Sequence, residues 1–488
     1  MSFLSWCWFL IIMGSFSSLL WAFPSSGSKP RCGAGFDFGT SGVRLVVLEA
    51  SETPTCVHQA SFRWPHSQTV QDAEEWRLAM FRLLDDIPPA IRSQMARVAI
   101  SGTSASCVVV NKANGAITRN PRLYNWDALR EIPETGRKAQ CLIADYAPAK
   151  HVTLSGTSSL MKVVSWHLEE AFHRDEVMLH QADFLSACLI HDTSTAKREQ
   201  SCFPRVSDWN NMLKLGYDMS ALAYPGWFSP LLDDRLGLGC PSPSESSPST
   251  YQDVLPTHVI EPGQPNGCVS PSLVQSHGFP SDCTVVGGTT DSVAAFIAAG
   301  LQEPGQAVTS LGSTLAIKML SNKAVEDATR GVYSHRLGNQ WLVGGASNVG
   351  CAVLRQEGFS NPELERLSQE IDPRRPCRHL NYYPLAGDAG ERFPSCDPSK
   401  KALLTPRPPR RSEYLQGILE GIARVERDGY QILKDLGADE LVEVRTAGGG
   451  ARNKVWTRIR RQLLGVPTGK ASETEASYGA ALLALKTL

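Results

Sequence analysis

The sequence predicts an α/β fold, and three observations support this prediction. The 488 residues include 40 Gly and 31 Pro, a supply of turns that suits a chain switching often between strand and helix. Strand-like and helix-like segments alternate along much of the chain. Two similar strand–turn–strand segments lie in opposite halves, which indicates two related lobes. The length alone suggests about three domains.

Composition argues against several classes of protein. Hydrophobic residues make up 42% and charged residues 20%, the mixture of a folded chain rather than a disordered one. The 48 Lys+Arg and 49 Asp+Glu give a net charge of −1, so no basic excess is available for nucleic acid. The 13 cysteines are scattered without a CxxC or CxxxC pair, which argues against a zinc ribbon and favours mostly reduced thiols.

The N-terminus carries an apolar segment, Phe3–Phe23, which overlaps the start of a Ser-rich, basic stretch, AFPSSGSKPR. The segment has the length of a signal peptide or a short membrane anchor. The combination resembles the bipartite presequences of algae with secondary plastids. We therefore expect residues 1–32 to be removed and the protein to reach a plastid, with no stable membrane association afterwards. The alternatives are the secretory pathway and a membrane-tethered enzyme.

Periodicity locates the main elements in the remaining chain. Ser412–Leu436 is the strongest helix, because apolar residues recur at helical spacing along it. The strand candidates outside the two repeats are Arg97–Ile100, Cys107–Val110, Thr284–Val286 and the residues around Val343. The predicted surface loops, rich in Pro, Gly or Ser, are Pro241–Thr250, Glu261–Gly267 and Gly387–Arg411.

The two repeats have the features of phosphate-binding hairpins. Phe36–Val47 reads FDFGTSGVRLVV, and Val308–Met319 reads VTSLGSTLAIKM. Each is a pair of apolar strands joined by a glycine turn with two hydroxyl residues. The backbone N–H groups and hydroxyls of such a turn can hold a phosphate without a lysine. One such turn alone is usually only a turn, but two in opposite halves favour two phosphate loops facing one cleft.

A third glycine signal is Gly448–Gly450, which follows the strand-like LVEVRTA. It opens an amphipathic helix with Val455, Ile459 and Leu463 on its inner face. Glycines there let the backbone approach a ligand, and the start of the helix favours negative charge. The sequence contains neither the GxGxxG of a dinucleotide-binding fold nor the GxxxxGK[ST] of a P-loop, which argues against both of those sites.

Two carboxylates accompany the glycines. Asp37 lies two residues before Gly39, and an acid beside a phosphate turn suits a site where Mg²⁺ lies between them. Its alternative role is a solvent-facing strand residue. Asp291, in VVGGTTDSVAAFIAAG, is placed either to cap the following helix or to act as a general base. The two roles of Asp291 are compatible.

These motifs, taken in order, resemble the FGGY carbohydrate kinases from about Gly33 to the C-terminus. The segments that carry the resemblance are FDFGTSG, GGTTDSVAA, TSLGST, LVGGASNVG, LEGIA and TAGGGARN. Three further segments, HRLGNQWLVGGASNVGCAVL, YYPLAGDAGERFP and SDWNNMLKLGYD, are similar to the D-ribulose kinases of cyanobacteria and plant plastids. The resemblance implies two actin-like (ribonuclease H-like) lobes, residues 33–283 and 284–488, with a nucleotide and sugar cleft between them.

The resemblance also implies an activity and a set of site residues. The expected reaction is the transfer of phosphate from ATP to a ketopentose with Mg²⁺, most simply D-ribulose to D-ribulose 5-phosphate. Asp291 matches the catalytic base and Asp37 the magnesium-linked carboxylate. The implied nucleotide-binding residues are Gly39, Thr40, Ser41, Gly312, Ser313, Thr314, Gly448, Gly449, Gly450 and Asn453. The implied sugar-binding residues are Asp37, Thr103, Ser104, Asp127 and Asp291.

The sugar half departs from typical xylulose kinases. SGTSAS (Ser101–Ser106) stands where those enzymes have Gln-Met-His, so D-xylulose is the second choice. Tyr124, Trp126 and Asp127 match a Trp-x-Asp-like segment. The signature around Lys162 is displaced by one residue from Trp166, so Lys162 receives no role. An actin-like or chaperone-like ATPase and a sugar sensor without turnover are the alternatives in other functional classes.

Overall fold

The computed structural model describes residues 31–64, 72–191, 202–238, 250–388 and 390–486. The apolar segment Phe3–Phe23 and all but the last residue of the Pro241–Thr250 insert lie outside these ranges, so the expectations about them stay predictions. Within the described ranges, no helix combines the length and hydropathy needed to cross a membrane. The cysteines described there are all free thiols, as expected.

Strands and helices alternate along the described chain, as predicted. The strands are β1 (Cys32–Gly39), β2 (Gly42–Glu49), β3 (Thr55–Arg63), β4 (Met95–Gly102), β5 (Cys107–Asn111), β6 (Ile117–Arg122), β7 (Glu176–His180), β8 (Val206–Asp208), β9 (His258–Ile260), β10 (Pro265–Cys268), β11 (Thr284–Val286), β12 (Thr289–Thr290), β13 (Gln306–Leu311), β14 (Leu315–Ser321), β15 (Tyr333–Leu337), β16 (Gln340–Ser347), β17 (Glu443–Ala447) and β18 (Thr468–Lys470).

The helices connect and cover these strands. They are α1 (Ala73–Asp86), α2 (Pro89–Arg92), α3 (Ala128–Glu131), α4 (Pro133–Ala144), α5 (Ser159–Glu169), α6 (Gln181–Ile190), α7 (Trp209–Met212), α8 (Pro271–His277), α9 (Asp291–Ala298), α10 (Ala352–Gln356), α11 (Asn361–Gln369), α12 (Arg411–Asp435), α13 (Lys454–Leu464) and α14 (Ala476–Leu485). Short 3-10 turns include Leu213–Leu215 and Gly449–Arg452, and Pro230–Arg235 forms a π-helical turn.

The first lobe is built on a mixed sheet with the N-terminal hairpin near its centre. Its strands lie in the order β10–β11–β4–β1–β2–β3, and β12 also pairs with β4. β1 runs parallel to β4 and antiparallel to β2. Both β1 and β2 are buried along most of their length, as expected for strands covered on both faces. A three-stranded sheet, β6–β5–β7, and a two-stranded sheet, β8–β9, contain the other described strands of this lobe.

The second lobe repeats the plan with the second hairpin at its centre. Its sheet has the order β15–β16–β14–β13–β17–β18. Side chains of β14 alternate between two faces, so that Ile317 packs in the core beneath α12 whereas Leu320 packs against α9. The predicted helix α12 lies within one residue of its expected bounds and buries the predicted apolar stripe.

A buried ion pair joins the elements of the second lobe. Arg460 of α13 donates two hydrogen bonds of 2.6 Å to the carboxylate of Glu426 in α12. Its third nitrogen donates to Thr446 Oγ1 in β17, also at 2.6 Å. The Thr309 hydroxyl of β13 donates to the same Glu426 carboxylate and lies 2.8 Å from the Tyr430 hydroxyl. One buried carboxylate therefore fixes two helices against two central strands.

The structure corrects two boundaries of the sequence prediction. Residues 265–267 of the predicted loop Glu261–Gly267 belong to strand β10, where they pair with β11. Cys32, placed in the presequence, is the first residue of β1 and pairs with Glu49. The division between lobes at 283/284 stays a prediction; the pairing of β11 and β12 with β4 places both strands in the first sheet.

We predict that Glu426→Gln lowers the free energy of unfolding by about 3–5 kcal/mol, because it leaves the buried Arg460 guanidinium without its counter-charge. Urea denaturation followed by circular dichroism measures the change. Glu370→Gln, which breaks the exposed 2.8 Å pair with Arg366, is the matched control and should cost at most about 0.5 kcal/mol. Equal losses in the two variants would contradict the central role of Glu426.

Candidate functional site

The two candidate carboxylates lie at the same end of the first sheet. Asp37 of β1 pairs in register with Ser101 of β4, and Ser101 pairs with Thr289 of β12. Asp291 follows Thr289 by two residues, at the start of α9. Because neighbouring strands are about 4.8 Å apart, this row brings Asp37 and Asp291 to one edge from distant parts of the chain.

Asp37 is a buried carboxylate under electrostatic stress. It is 5% exposed, and the Ser101 hydroxyl donates to its Oδ1 at 3.1 Å. Burial raises the pKa of Asp37 to about 7; the charge of Asp291 adds to this rise, whereas the Ser101 hydrogen bond and Arg44 oppose it. The nearest atoms of the Arg44–Asp37 ion pair are 3.7 Å apart. A cation beside Asp37 would relieve this stress.

This environment fits a magnesium ion held mainly by its substrate. Mg²⁺ in nucleotide-dependent enzymes is usually held by one or two carboxylates together with phosphate oxygens and water. Asp37 supplies one such carboxylate close to the first hairpin turn. The described residues contain no cluster of three or more His, Cys, Asp or Glu side chains that could hold a metal by themselves. Asp37 is therefore the residue that would hold the ion.

Asp291 occupies the first turn of α9. The N-cap of this helix is Thr290, so the predicted capping role of Asp291 is wrong by one residue. Its Oδ1 accepts a 2.6 Å hydrogen bond from the Ser292 backbone N–H. Burial raises the pKa of Asp291, whereas that hydrogen bond and the charges of Lys318 and Lys214 lower it. These groups favour the ionised form, which is the form a general base requires.

The first hairpin turn presents its hydroxyls to solvent. Thr40 and Ser41 are exposed, and the Trp64 indole N–H donates to the Gly39 carbonyl at 3.1 Å, which fixes the turn. Gly42 closes the turn with a φ of +155°, and a Cβ there would lie 2.2 Å from the Phe62 carbonyl oxygen. The Thr40 hydroxyl also donates to the Tyr124 hydroxyl at 3.3 Å, so the turn is fixed on the cleft side of the sheet where a phosphate group could contact it.

The second hairpin turn and the glycine segment enclose a cavity of about 700 Å³. Of the predicted nucleotide residues, five line it: Gly312, Ser313, Gly449, Gly450 and Asn453. Thr314 and Gly448 lie beside the cavity in sequence without lining it, and Gly39, Thr40 and Ser41 belong to the opposite hairpin. Its size is that of a pocket for a small organic ligand.

Two side chains organise the mouth of this cavity. Asn453 caps α13 by accepting from the Trp456 N–H at 2.9 Å, and its amide donates to Ser368 Oγ at 2.8 Å. Arg355 donates to Ser313 Oγ at 3.0 Å, which places a cation beside the hairpin turn. Sequence reasoning missed Arg355, because it lies on a short helix without a motif.

The predicted sugar-side residues have well-defined hydrogen bonds. The Thr103 backbone N–H and hydroxyl both lie 3.1 Å from Gln181 Oε1, and the hydroxyl lies 2.6 Å from Ser106 Oγ. Ser104 is half-buried next to them. Asp127 caps α3 by accepting from the Leu129 N–H at 2.9 Å. Thr103 and Asp127 thus already have local structural roles at the edge of the cleft.

Several buried polar atoms near this edge are available to bind a ligand. Within the described chain, Thr290 Oγ1, Asn210 Oδ1 and Gln181 Nε2 are buried without hydrogen-bond partners. Asn210 belongs to the same polar row, since its amide donates to Thr289 Oγ1 at 3.0 Å. Buried polar groups are normally paired, so a polyhydroxy ligand would suit this region.

Three lysines near the cleft have no role in the sequence prediction: Lys162 is considered there without being assigned one, and Lys214 and Lys318 are not considered. Lys162 is buried and donates to the carbonyls of Ala105 and Leu123 at 2.6 and 2.7 Å, which supports the SGTSAS loop from behind. Burial lowers the pKa of Lys162 to about 8. Lys214 and Lys318 face Asp291. In the sequence, the sign that Lys318 has a role is that this charged residue interrupts the apolar strand LAIKML.

Comparisons with known proteins agree with this architecture. Residues 307–488 match the C-terminal domain of the FGGY family of carbohydrate kinases. A xylulose kinase of Staphylococcus epidermidis is 22% identical over 471 residues, which cover 92% of this chain and 86% of that protein. The xylulose kinase structure from Rhodospirillum rubrum has a TM-score of 0.72 at 19% identity, covering 93% of this chain and 89% of that one.

A structure with a different named substrate is equally similar in fold. Gluconate kinase from Lactobacillus acidophilus has a TM-score of 0.74 at 15% identity, and the match covers 94% of this chain and 89% of that chain. These likenesses confirm the predicted α/β fold of two actin-like lobes. They do not distinguish one sugar from another, because that choice depends on side chains in the cleft.

We predict that Gly449→Val weakens ATP binding at least about tenfold, roughly 1.4 kcal/mol, with little change in melting temperature. No protein atom lies within 4 Å of the position of a Cβ at Gly449, so the added side chain fills only the cavity. Gly469→Val is the matched control, because that position is equally open and lies outside the cavity. Calorimetric titration with ATP measures both; unchanged affinity in Gly449→Val would contradict the nucleotide assignment.

Proposed function

We propose that the chain, whose residues 307–488 match the C-terminal domain of the FGGY family, is a carbohydrate kinase that transfers the terminal phosphoryl group of ATP to a hydroxyl group of a ketopentose. D-ribulose is the proposed acceptor and D-ribulose 5-phosphate the product. D-xylulose is the second candidate, because the S. epidermidis relative is a xylulose kinase. An ATPase without a sugar acceptor is not the function that this family indicates.

The observation that carries the proposal is the pairing of Asp37 with Asp291 at the end of the first sheet. The strand register places Asp37 opposite Ser101 and Ser101 opposite Thr289, two residues before Asp291, so the two carboxylates lie at the same end of the sheet. In agreement with this, the charge of Asp291 adds to the effect of burial in raising the pKa of Asp37. Asp37 lies next to the first hairpin turn, and Asp291 lies next to unpartnered polar atoms. One carboxylate therefore adjoins the phosphate loops and the other adjoins the sugar side.

Asp291 is suited to accept the proton of the attacking hydroxyl. As the sugar oxygen forms its bond to the γ-phosphorus, the bond from that phosphorus to the bridging oxygen of ADP breaks. The hydroxyl proton passes to the Asp291 carboxylate. The Ser292 N–H holds Oδ1 at 2.6 Å, and the first turn of α9 stabilises negative charge there. Both contacts keep the carboxylate oriented before the proton arrives.

The hairpin turns are suited to hold the phosphates. Their backbone N–H groups, with Thr40, Ser41 and Ser313, supply donors without a carboxylate in the turn itself. When bound at Asp37, Mg²⁺ supplies positive charge to the phosphate oxygens. Exclusion of water by the surrounding lobes limits hydrolysis of ATP in place of transfer.

The choice of D-ribulose over D-xylulose rests on the loop SGTSAS. The Thr103 hydroxyl is held by Gln181 and Ser106, so this loop presents small hydroxyl and backbone groups. Typical xylulose kinases carry Gln-Met-His there. A pocket that hydrogen-bonds hydroxyls discriminates epimers, because each unpaired buried group costs about 1–3 kcal/mol.

The test of this function is a coupled ADP-release assay on full-length protein and on protein beginning at Arg31. We expect D-ribulose to raise the rate well above a no-sugar blank, with D-xylulose, L-ribulose, ribitol and glycerol lower. A faster rate with D-xylulose would reverse the order of the two ketopentoses. A blank rate equal to every sugar rate would contradict sugar phosphorylation.

We predict that Asp291→Asn lowers kcat at least 100-fold, the usual contribution of a general base, while ATP affinity changes only a few-fold. The amide keeps the shape and the contact with Ser292 but cannot take the proton. Glu303→Gln, an exposed acid beyond the same helix, is the matched control. Normal turnover in Asp291→Asn would contradict the general-base role.

We further propose delivery to a plastid. The proposal rests on the sequence alone, on the apolar segment Phe3–Phe23 and the basic, acid-free stretch after it. The strand β1 begins at Cys32, and Arg31 forms a 2.9 Å ion pair with Asp282. Removal of the segment before Arg31 would therefore leave the first sheet complete.

A further inference from the structure

Two lysines, Lys214 and Lys318, lie close enough to Asp291 for their charges to lower its pKa, which burial raises. Lys318 lies on β14. It is on the face opposite to Ile317 and on the same face as Leu320, which is two residues further along the strand. Leu320 packs against Val293 of α9, so Lys318 lies beside the start of that helix, where Asp291 is. The charges of Lys318 and Asp291 act on each other accordingly.

Lys214 approaches from the first lobe. It lies on the 3-10 turn directly after α7, and α7 contacts β15 of the second sheet. Arg336 of β15 donates to the Met219 carbonyl at 2.7 Å, and its guanidinium lies 4.9 Å from the Trp209 ring centre. This contact lies close in the sequence to Lys214, whose pKa is lowered by burial against the raising effect of the charge of Asp291. Burial also lowers the pKa of Lys318, and the charge of Lys214 lowers it further.

The described residues leave hydrogen-bond donors unused on both lysine side chains. Among the described residues, Lys214 has no hydrogen bond or ion pair, and Lys318 has one contact, 3.5 Å to Nδ1 of the buried His335. Neither has a carboxylate within 4 Å in the described chain. Burial lowers the pKa of both lysines, that of Lys318 to about 7, so an acceptor from a ligand would stabilise their charged forms. Two half-buried amino groups with unused donors therefore indicate that a ligand supplies the missing acceptor.

The position of this pair indicates the sugar rather than the nucleotide. Lys318 lies four residues beyond Thr314, about 13 Å along an extended strand from the second hairpin turn. Neither lysine lines the 700 Å³ cavity. Tyr333, next to His335 on β15, packs against the core of the first lobe formed by residues 107–255. The pair therefore faces the part of the cleft that the SGTSAS loop also borders.

The hydrogen-bonding chemistry of these side chains indicates which kind of ligand oxygen the two lysines bind. An ammonium group only donates hydrogen bonds, whereas a carboxylate only accepts them. Asp37 and Asp291 therefore suit hydroxyl groups, which can donate. Two ammonium groups suit an oxygen that only accepts, and the two lone pairs of a ketone carbonyl match two donors.

We propose that Lys214 and Lys318 bind the carbonyl oxygen of the acceptor sugar and so select a ketose over the corresponding alditol. This inference rests on the proposed ketopentose kinase function. It assigns a ligand atom to two residues outside the predicted site. A sugar carboxylate is the other acceptor-only group, and the test below separates it from a carbonyl.

Calorimetric titration of full-length protein tests the proposal without turnover. The ligands are D-ribulose, ribitol and D-ribonate, which present a carbonyl, a hydroxyl and a carboxylate. We expect Lys318→Met and Lys214→Met each to weaken D-ribulose binding about 10- to 100-fold, as for the loss of a charge-assisted hydrogen bond. Ribitol binding should change less than about threefold. Lys318→Arg, which keeps a donor, should recover part of the loss.

Lys323→Met is the matched control, because Lys323 is exposed two residues after β14 ends. Equal weakening of D-ribulose and ribitol, or no change in either, would overturn the proposal. Tighter binding of D-ribonate with a larger loss in the variants would overturn the carbonyl assignment in favour of a carboxylate. Selective loss of D-ribulose binding in a protein that does not phosphorylate it would support this subsite and contradict the proposed function.

Discussion

The cleft depends on the contact of the last helix with the first strand. A Cβ at Gly35 of β1 would lie 2.0 Å from the Ala481 backbone nitrogen in α14. A Cβ at Gly479 of the same helix would lie 1.8 Å from the Ala294 carbonyl oxygen in α9. Backbone therefore rests on backbone on both sides of α14, which no larger residue would permit. Since β1 carries Asp37 and α9 carries Asp291, this packing fixes the relative positions of the two carboxylates.

The charges in the cleft follow from that arrangement. Asp37 is buried and Asp291 half-buried, and two neighbouring carboxylates raise each other's free energy of ionisation. The structure offsets this differently at the two sites: Asp37 has one long ion pair with Arg44, whereas Asp291 faces Lys214 and Lys318. The two lysines thus oppose the rise in the pKa of Asp291 that burial causes, while Asp37 still gains from an added cation. This asymmetry agrees with the proposed roles of Asp291 as a base and Asp37 as a metal-linked carboxylate.

Local sequence signals predicted the elements whose chemistry is local. The two hairpin turns, the apolar strands and the long stripe of α12 each depend on residues near in sequence and were located correctly, whereas part of the predicted loop Glu261–Gly267 is strand β10. The lateral row from Asp37 to Thr289 could not be read from composition or spacing, because it depends on the order of strands in the sheet. Lys214 and Lys318 were missed for the same reason. Neither lysine belongs to a sequence motif, and their proximity to Asp291 depends on the arrangement of the two lobes.

Lys162, to which the sequence motif assigns no role, has a structural role on the sugar side of the cleft. Ala105 has a φ of +67°, a left-handed conformation that strains a residue with a side chain by about 1–3 kcal/mol. The Lys162 ammonium donates to the Ala105 carbonyl and to Leu123, so two segments of the sugar side share one buried donor. Because the lysine side chain is long and flexible, it reaches both carbonyl groups from α5. The strained loop and its buried lysine therefore form one unit, and the position of the Thr103 hydroxyl depends on both.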